Sequence, residues 1–513
     1  MVTVDRAQRR GEAATLRRIW RLHFWVGLFA APTLLLLACT GLIILYSQPL
    51  DLMLNRDLRV VTEGPSQVSL DDQVATARAQ VGPEMVLDGV TPPSALDRST
   101  RVDFAPPETV GESPERDINP NITQVSIDPY TGRYLGQQQS LSGLVGWANR
   151  LHAMFGNDGP TVSLPSVGHL IAPSAYPDAT VKVGIGGLLI EVTAVWILVL
   201  AATGIYLWWP RAIESGKPRL AIRWRKGGRV RWRDLHATTG ILLSVVLIGY
   251  IVSGLTWSRY WGENWRAVAS TVTPGTAVDA PSTPAKVGDF DRLGRRIAWA
   301  DKDDPVYASD PGPGVPMTLG FNEIDEIAKS ENMLPGYSIV APSDYPGSTA
   351  DDETVYGSYT VVNHWPQRLS EQRTLYLNQF TGQTIANSTA DQDGALARIT
   401  SWSVAMHMGN QYGVLTRILA TLACLGLLTS ITTAMLMWWK RRPTGGTGLP
   451  GRHSDAQRGD TPRGAVAAIA VIATALAVLY PSFGVTLIVV LVAEGILSAV
   501  RGRGSAVGAD SGG

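Results

Sequence analysis

The chain has 513 residues, too many for one small domain, and its 44 basic and 44 acidic residues cancel. A formal net charge of zero gives no electrostatic footprint for nucleic acid. Charged residues make up only 17 % against 45 % hydrophobic, with 16 tryptophans, which is a membrane-protein balance diluted by sizeable polar regions.

In chain order, residues 1–22 form an Arg-rich lead, and a first apolar run, His23–Tyr46, is long enough to cross a bilayer of about twenty residues. Its full length after that lead marks an anchor rather than a cleavable signal. A polar segment, 47–182, follows. Within it Leu70–Val81 has a helical pattern, and Ile122–Leu135 reads as strand, turn, strand around Asp128–Pro129 and Thr131–Gly132. A second span, 183–209, ends in Trp208–Trp209–Pro210–Arg211, and a basic connector, 210–235, leads to a third, 236–257. The second polar segment, 258–405, repeats the plan. Phe321–Lys329 is helical in pattern, Arg373–Ile385 is a hairpin around Thr381–Gly382, and Asp301–Pro316 reads as an irregular surface loop. A fourth span, 406–439 with its apolar run at Gly413–Trp439, ends in Trp438–Trp439–Lys440–Arg441. After a connector, 440–464, the tail 465–500 is about two spans long. Pro481, Ser482 and Phe483 split it into a hairpin, and residues 501–513 close the chain.

Six spans place every Arg/Lys-rich segment on one side, which is then cytoplasmic, with both termini. The two long polar segments face the opposite side of the cytoplasmic membrane. Both halves start and end on the same side, so they are expected to be parallel repeats related by an axis along the membrane normal. The expected fold is a mainly α membrane protein of about six helices in a duplicated parallel repeat, with two extracytoplasmic α+β domains. Cys39 and Cys424 both lie in apolar runs and read as helix-packing residues.

Four of the seven histidines repeat in register. His23 and His236 open the first and third spans, each with glycine four residues on (Gly27, Gly240) and a small-residue pair ending eighteen residues on (Thr40–Gly41, Ser253–Gly254). His152 and His407 share a Trp-x4-His frame, from Trp147 and Trp402. In parallel repeats His23 faces His236 near one surface, and His152 faces His407 near the other. A flat metal macrocycle between them takes one imidazole nitrogen from each side, so all four are expected to ligate haem iron, with Gly27 and Gly240 leaving room for the porphyrin edge. Two axial histidines make such a b-type haem an electron carrier. Arg21, Arg233, Arg150 and Arg398 flank the four histidines and could pair with haem propionates, although their ordinary role is interfacial. The paired tryptophans read as interface anchors. His169, His364 and His453 have no partner in the repeat and read as surface residues, with contact to a ferric substrate the alternative for His169 and His364.

The first span with its Leu–His, glycine and Thr–Gly, the Asp-Pro-x-Thr-Gly hairpin, the Leu–His before the second span and the Gly-x-Tyr-Leu-Trp-Trp-Pro-Arg stop together resemble the PepSY-associated transmembrane family. The resemblance runs to about Arg442. The segment Asn157–Tyr176, which sets His152 far from its span, departs from the family pattern. The resemblance implies PepSY-like outer domains, two haems and a link to iron uptake, some members being inner-membrane ferric-siderophore reductases. No Walker or flavin-type segment is present, so electrons are expected from a quinol or a separate cytoplasmic donor. The acceptor is expected to be a ferric siderophore or similar chelate, and no side chain is expected to act as a catalytic acid, base or nucleophile. Two alternatives stand beside this. One is a PepSY-type regulatory or binding protein without redox activity, which would have no need of four aligned histidines. The other is a siderophore permease, which would show polar broken helices at mid-membrane, whereas these spans are nearly free of charge apart from Glu191.

Overall fold

The structure, a computed structural model, describes residues 2–106, 122–155, 160–214, 220–225, 228–276, 278–290, 299–313, 317–346, 353–363, 368–442, 463–492 and 496. A long helix, α1 (Val2–Leu45), is followed by short α2 (Ser47–Leu54) and α3 (Arg56–Arg59), then α4 (Leu70–Arg78). Strands β1 (Val86–Thr91), β2 (Thr100–Ala105), β3 (Thr123–Ile127) and β4 (Tyr134–Gln139) precede α5 (Gly143–Met154). A small insert then holds β5 (Thr161–Pro165), α6 (Val167–Ile171) and β6 (Thr180–Gly184), β5 pairing with β6. This insert accounts for the extra length between His152 and the next span. Helices α7 (Ile185–Glu214), α8 (Arg229–Leu255) and α9 (Tyr260–Val272) lead into β7 (Ser282–Lys286), β8 (Pro305–Ser309), α10 (Phe321–Ser330), β9 (Tyr337–Val340), β10 (Tyr356–Asn363), β11 (Arg373–Asn378) and β12 (Thr384–Thr389). The chain continues through α11 (Ala395–His407), α12 (Val414–Trp439), α13 (Arg463–Leu479) and a last described helix, α14 (Pro481–Val492).

The protein is a membrane protein. Four helices are long and apolar enough to cross a bilayer: Thr15–Leu45 within α1, Ile185–Trp209 within α7, Arg229–Leu255 and Val414–Trp439. The tail turns at Tyr480, as its Pro481 requires. Over the described residues the tail is a hairpin of two helices, the first of 17 residues. The four spans form a closed ring in which α1 touches α7 and α12, and α8 touches α7 and α12. Its centre is apolar, with Ala30, Leu34, Ile197, Ile251 and Leu255 buried against one another and Leu427, Ile431 and Tyr480 packed on them.

The two polar segments do not fold as two separate domains. Their strands join in one antiparallel path, β12-β11-β10-β9-β1-β2-β3-β4, across the β1–β9 seam at Gly89↔Val340 and Val90↔Ile339. One core serves both, with Val90, Val102, Phe104, Val125 and Ile127 from the first segment against Ile324, Ile339, Val361, Leu375 and Leu377 from the second. The helices are stitched likewise: Asp71 on α4 accepts from Phe321 N (2.7 Å) and Asn322 N (3.2 Å), and Asn322 Oδ1 accepts from Leu70 N (3.3 Å). Each segment caps the other's helix N-terminus, where free N–H groups need acceptors.

Both expected hairpins form, β3–β4 and β11–β12. In each turn an Asx side chain holds the backbone: Asp128 Oδ1 accepts from Tyr130 N (2.9 Å), and Asn378 Oδ1 from Phe380 N (2.9 Å). The glycines that follow, Gly132 and Gly382, sit at φ +68° and +69°, where a side chain would be strained. The stretch Asp301–Pro316 is not simply a surface loop. A 3-10 turn, Ala300–Asp303, and strand β8 bury Asp301, Val306, Tyr307 and Ser309 against β7 and β10, while residues 314–316 lie outside the described residues. The alternation Val306–Tyr307–Ala308–Ser309 carries too little hydrophobic contrast to stand out beside the flanking Asp, Pro and Gly.

Candidate functional site

Helices α1 and α8 both run toward the sheet, and each carries a histidine toward the far end of its spanning segment and a small-residue pair at its sheet end. His23 and Thr40 are seventeen positions apart on α1, as are His236 and Ser253 on α8. At 1.5 Å per residue that separates two levels by about 25 Å, close to the hydrocarbon thickness of a bilayer.

At the far level the His23 and His236 rings lie 6.4 Å apart between centroids, inclined at 76°. His23 Nδ1 is 3.0 Å from Thr203 Oγ1 on α7. That hydroxyl already donates its single hydrogen to Val199 O (2.8 Å) within its own helix, so the imidazole must be the donor. His236 Nδ1 is 3.0 Å from Ser430 O on α12, which can only accept. At the sheet level, α5 brings His152 to α1, where Nδ1 lies 2.9 Å from Thr40 Oγ1, whose hydrogen goes to Leu36 O (2.7 Å). Helix α11 brings His407 to α8, where Nδ1 lies 2.9 Å from Tyr250 O and 3.1 Å from Ser253 Oγ.

The four rings therefore share one tautomer, with the proton on Nδ1 and the lone pair on Nε2. Metal-ligating histidines are held this way, the second ring nitrogen donating to a fixed acceptor. Three glycines press on the rings. A Cβ at Gly204 would lie 3.2 Å from His23 Cε1, at Gly41 3.3 Å from His152 Cε1, and at Gly254 3.0 Å from His407 Cε1. On the Gly41 side, Cys424 Sγ is 3.7 Å away and serves as packing. The donor set fits a haem at the far level. Two metal–nitrogen bonds of about 2 Å and about 1 Å from each ring nitrogen to its centroid span the observed separation.

The glycines singled out from the sequence at His+4 do not touch the rings. A Cβ at Gly27 would lie 3.6 Å from Leu200 Cδ1, and one at Gly240 would meet nothing within 4 Å, open space of the kind a porphyrin edge needs. The contacts come instead from the Thr–Gly and Ser–Gly pairs, and Thr203–Gly204 was missed altogether. Its register gives it away: Thr203 precedes Trp208 by five positions, as Thr433, 3.4 Å from His236 Nδ1, precedes Trp438. The flanking arginines also divide. Arg233 pairs with Asp234 (3.2 Å) and Arg398 reaches Asp391 at 4.0 Å, both half-exposed, whereas the Nε atoms of Arg21 and Arg150 are buried without a partner among the described residues. His169 Nδ1 lies 3.1 Å from Tyr176 O in its own segment, and His364 and His453 lie outside the described residues.

The description PepSY-associated TM region matches residues 20–441, most of the chain and all four histidines. The chain belongs to the PepSY-associated TM family. No curated protein matches it. In this PepSY-associated TM protein the matched region starts at Trp20, three residues before His23, and ends at Arg441, just beyond the second Trp–Trp stop. It takes in the four-span ring and the whole sheet and leaves the tail hairpin outside.

Proposed function

We propose that this protein is a transmembrane electron carrier of the cytoplasmic membrane that holds two b-type haems and reduces a ferric chelate of the siderophore class on the sheet side. The observation that carries the reading is the shared Nδ1 anchoring of His23, His236, His152 and His407 at two levels about 25 Å apart. His23 and His236 would hold one haem and His152 and His407 the other; when bound, such haems would supply one-electron transfer with no axial position open to an exogenous ligand.

The protein's own contribution is positioning. Thr203, Ser430, Thr40, Tyr250 and Ser253 fix the tautomer and ring orientation, and Gly204, Gly41 and Gly254 fix the approach. The apolar ring between the two levels keeps water out of the path. The basic connector before α8 supports reading the far level as cytoplasmic, with the sheet outside and both termini inside. The two halves are read as a duplicated parallel repeat, supported by the equal His-to-Ser/Thr spacing on α1 and α8 and by the β3–β4 and β11–β12 hairpins. Ferric ion prefers hard oxygen ligands, so its reduction loosens the chelate. Electrons would come from a quinol or a cytoplasmic donor.

Stopped-flow mixing of dithionite-reduced protein with a ferric hydroxamate tests this. Wild type reoxidises both haems, whereas His407→Ala leaves the far-level haem reduced much longer. Equal rates in the two proteins would contradict delivery from the sheet level.

A further inference from the structure

The far end of the bundle holds a second set of matched groups. The indole Nε1 atoms of Trp208, Trp232 and Trp438 are buried there with no hydrogen-bond partner among the described residues. Native structures rarely leave a buried N–H unpaired, so each one calls for an acceptor. Their register places all three beside one site. Trp232 precedes His236 by four positions, one turn further from the sheet on the same face. Trp208 follows Gly204, the residue against His23, by four, and Trp438 stands in the same relation to Ala434 beside Thr433.

The doublets split their duties. Trp209 and Trp439 are 57 % and 69 % exposed and face outward as interface anchors, while Trp208 and Trp438 turn their N–H groups inward. Guanidinium groups stack on two of these indoles, Arg231 at 4.8 Å from the Trp232 ring and Arg442 at 4.1 Å from the Trp438 ring. A cation over the ring face adds positive potential to a cluster that already offers only donors. The matching ligand group is an anion with several acceptor oxygens. Arg21, two positions before His23, leaves α1 on the other face.

We propose that Trp208, Trp232 and Trp438 bind the carboxylate groups of the haem held between His23 and His236. This rests on the haem reading above and replaces Arg233, which is paired to Asp234, as the propionate anchor.

The test uses the full-length protein in detergent and the conservative variants Trp208→Phe, Trp232→Phe and Trp438→Phe, singly and together. Each keeps the ring and removes the N–H. Haem transfer to excess apomyoglobin is followed in the Soret band, with His407→Ala as a background that isolates the far-level haem. Each variant is expected to release that haem about tenfold faster, the equivalent of one hydrogen bond, and to lower its midpoint potential as the carboxylates lose neutralising donors. Trp209→Phe and Trp439→Phe leave release unchanged. Wild-type release and potential in the singles would overturn the cluster while leaving the haem reading intact. Loss of co-purified anionic phospholipid with unchanged haem release would assign the donors to a lipid headgroup and also overturn it. A haem-free wild type would remove the reading and the cluster together.

Discussion

Gly254 and Gly204 each leave room for one imidazole and no more. A methyl at Gly254 would sit 3.0 Å from His407 Cε1 and one at Gly204 3.2 Å from His23 Cε1, both tighter than nine in ten real contacts, so each ring would have to give by a few tenths of an ångström. Such a shift strains the Nδ1 bond that orients the ring, to Tyr250 O in one case and Thr203 Oγ1 in the other. Gly254→Ala is therefore expected to lose the sheet-level haem and Gly204→Ala the far-level one, each with a drop of about ten- to a hundredfold in retention, as when the support of a ligand is disturbed. Quantitative haem spectra of the two variants check this. Loss of the same haem in both would mean that the two levels are not independent. The histidines themselves were legible in the sequence because they are few and repeat in register. Their supports were not. Serine, threonine and glycine are common in spanning helices, and a Thr–Gly pair reads as helix packing until a ring is seen against it.

At the scale of elements, the charge that the sequence isolates in the second span is a helix cap. Glu191 on α7 is 1 % exposed and accepts from Tyr260 N (2.8 Å) and Trp261 N (3.2 Å), the first turn of α9. A carboxylate there meets free N–H groups and the positive end of the helix dipole. Helix α9 in turn holds α11, because Trp265 Nε1 donates to Thr400 Oγ1 (2.9 Å) seven residues before His407. The tail hairpin packs on the same place: Tyr480 stacks on Trp261 (5.3 Å), and Phe483 packs on Trp196 (4.9 Å), whose Nε1 donates to Thr486 Oγ1 (3.2 Å). Glu191→Ala is expected to cost about 1–2 kcal/mol in thermal unfolding of the purified protein, and Glu191→Gln, which keeps an acceptor, less. An unchanged melting temperature in Glu191→Ala would show that α9 is held by its aromatic contacts alone. Four spans, two hairpins and two helices of the sheet layer stood out in the sequence as runs of length or period. The packing of the tail hairpin on Trp196 and Trp261 and the strand in Asp301–Pro316 did not, because both depend on what lies across from them.

At the scale of the whole molecule, the joining of both polar segments into one sheet ties the two halves outside the bundle as the four-span ring ties them inside. The β1–β9 seam is invisible in the sequence, since Val90 and Ile339 look like any buried strand residues and pairing between distant strands leaves no local mark. The sheet side also carries a pH dependence. Burial, and then the neighbouring carboxylates, push Asp301 to about 7, Asp304 to about 8 and Asp393 to about 7. Asp301 accepts from Gln372 Nε2 (2.5 Å) and Thr374 Oγ1 (3.1 Å), which offset only part of that cost. Because these acids hold their protons more tightly folded than unfolded, stability is fullest below about pH 4 for this term and is lost as pH rises toward about 8. Melting curves of the outer layer should fall between about pH 5 and about pH 8, and Asp304→Asn should restore on the order of a few kcal/mol at the upper end. Stability that rose across that range would contradict the burial of these carboxyls. The central claim, that four anchored imidazoles hold two haems, is tested most directly by pyridine haemochrome analysis of full-length protein purified from haem-replete cells. The account predicts close to two b-type haems per chain, both low-spin and six-coordinate, and a haem-free preparation would contradict it.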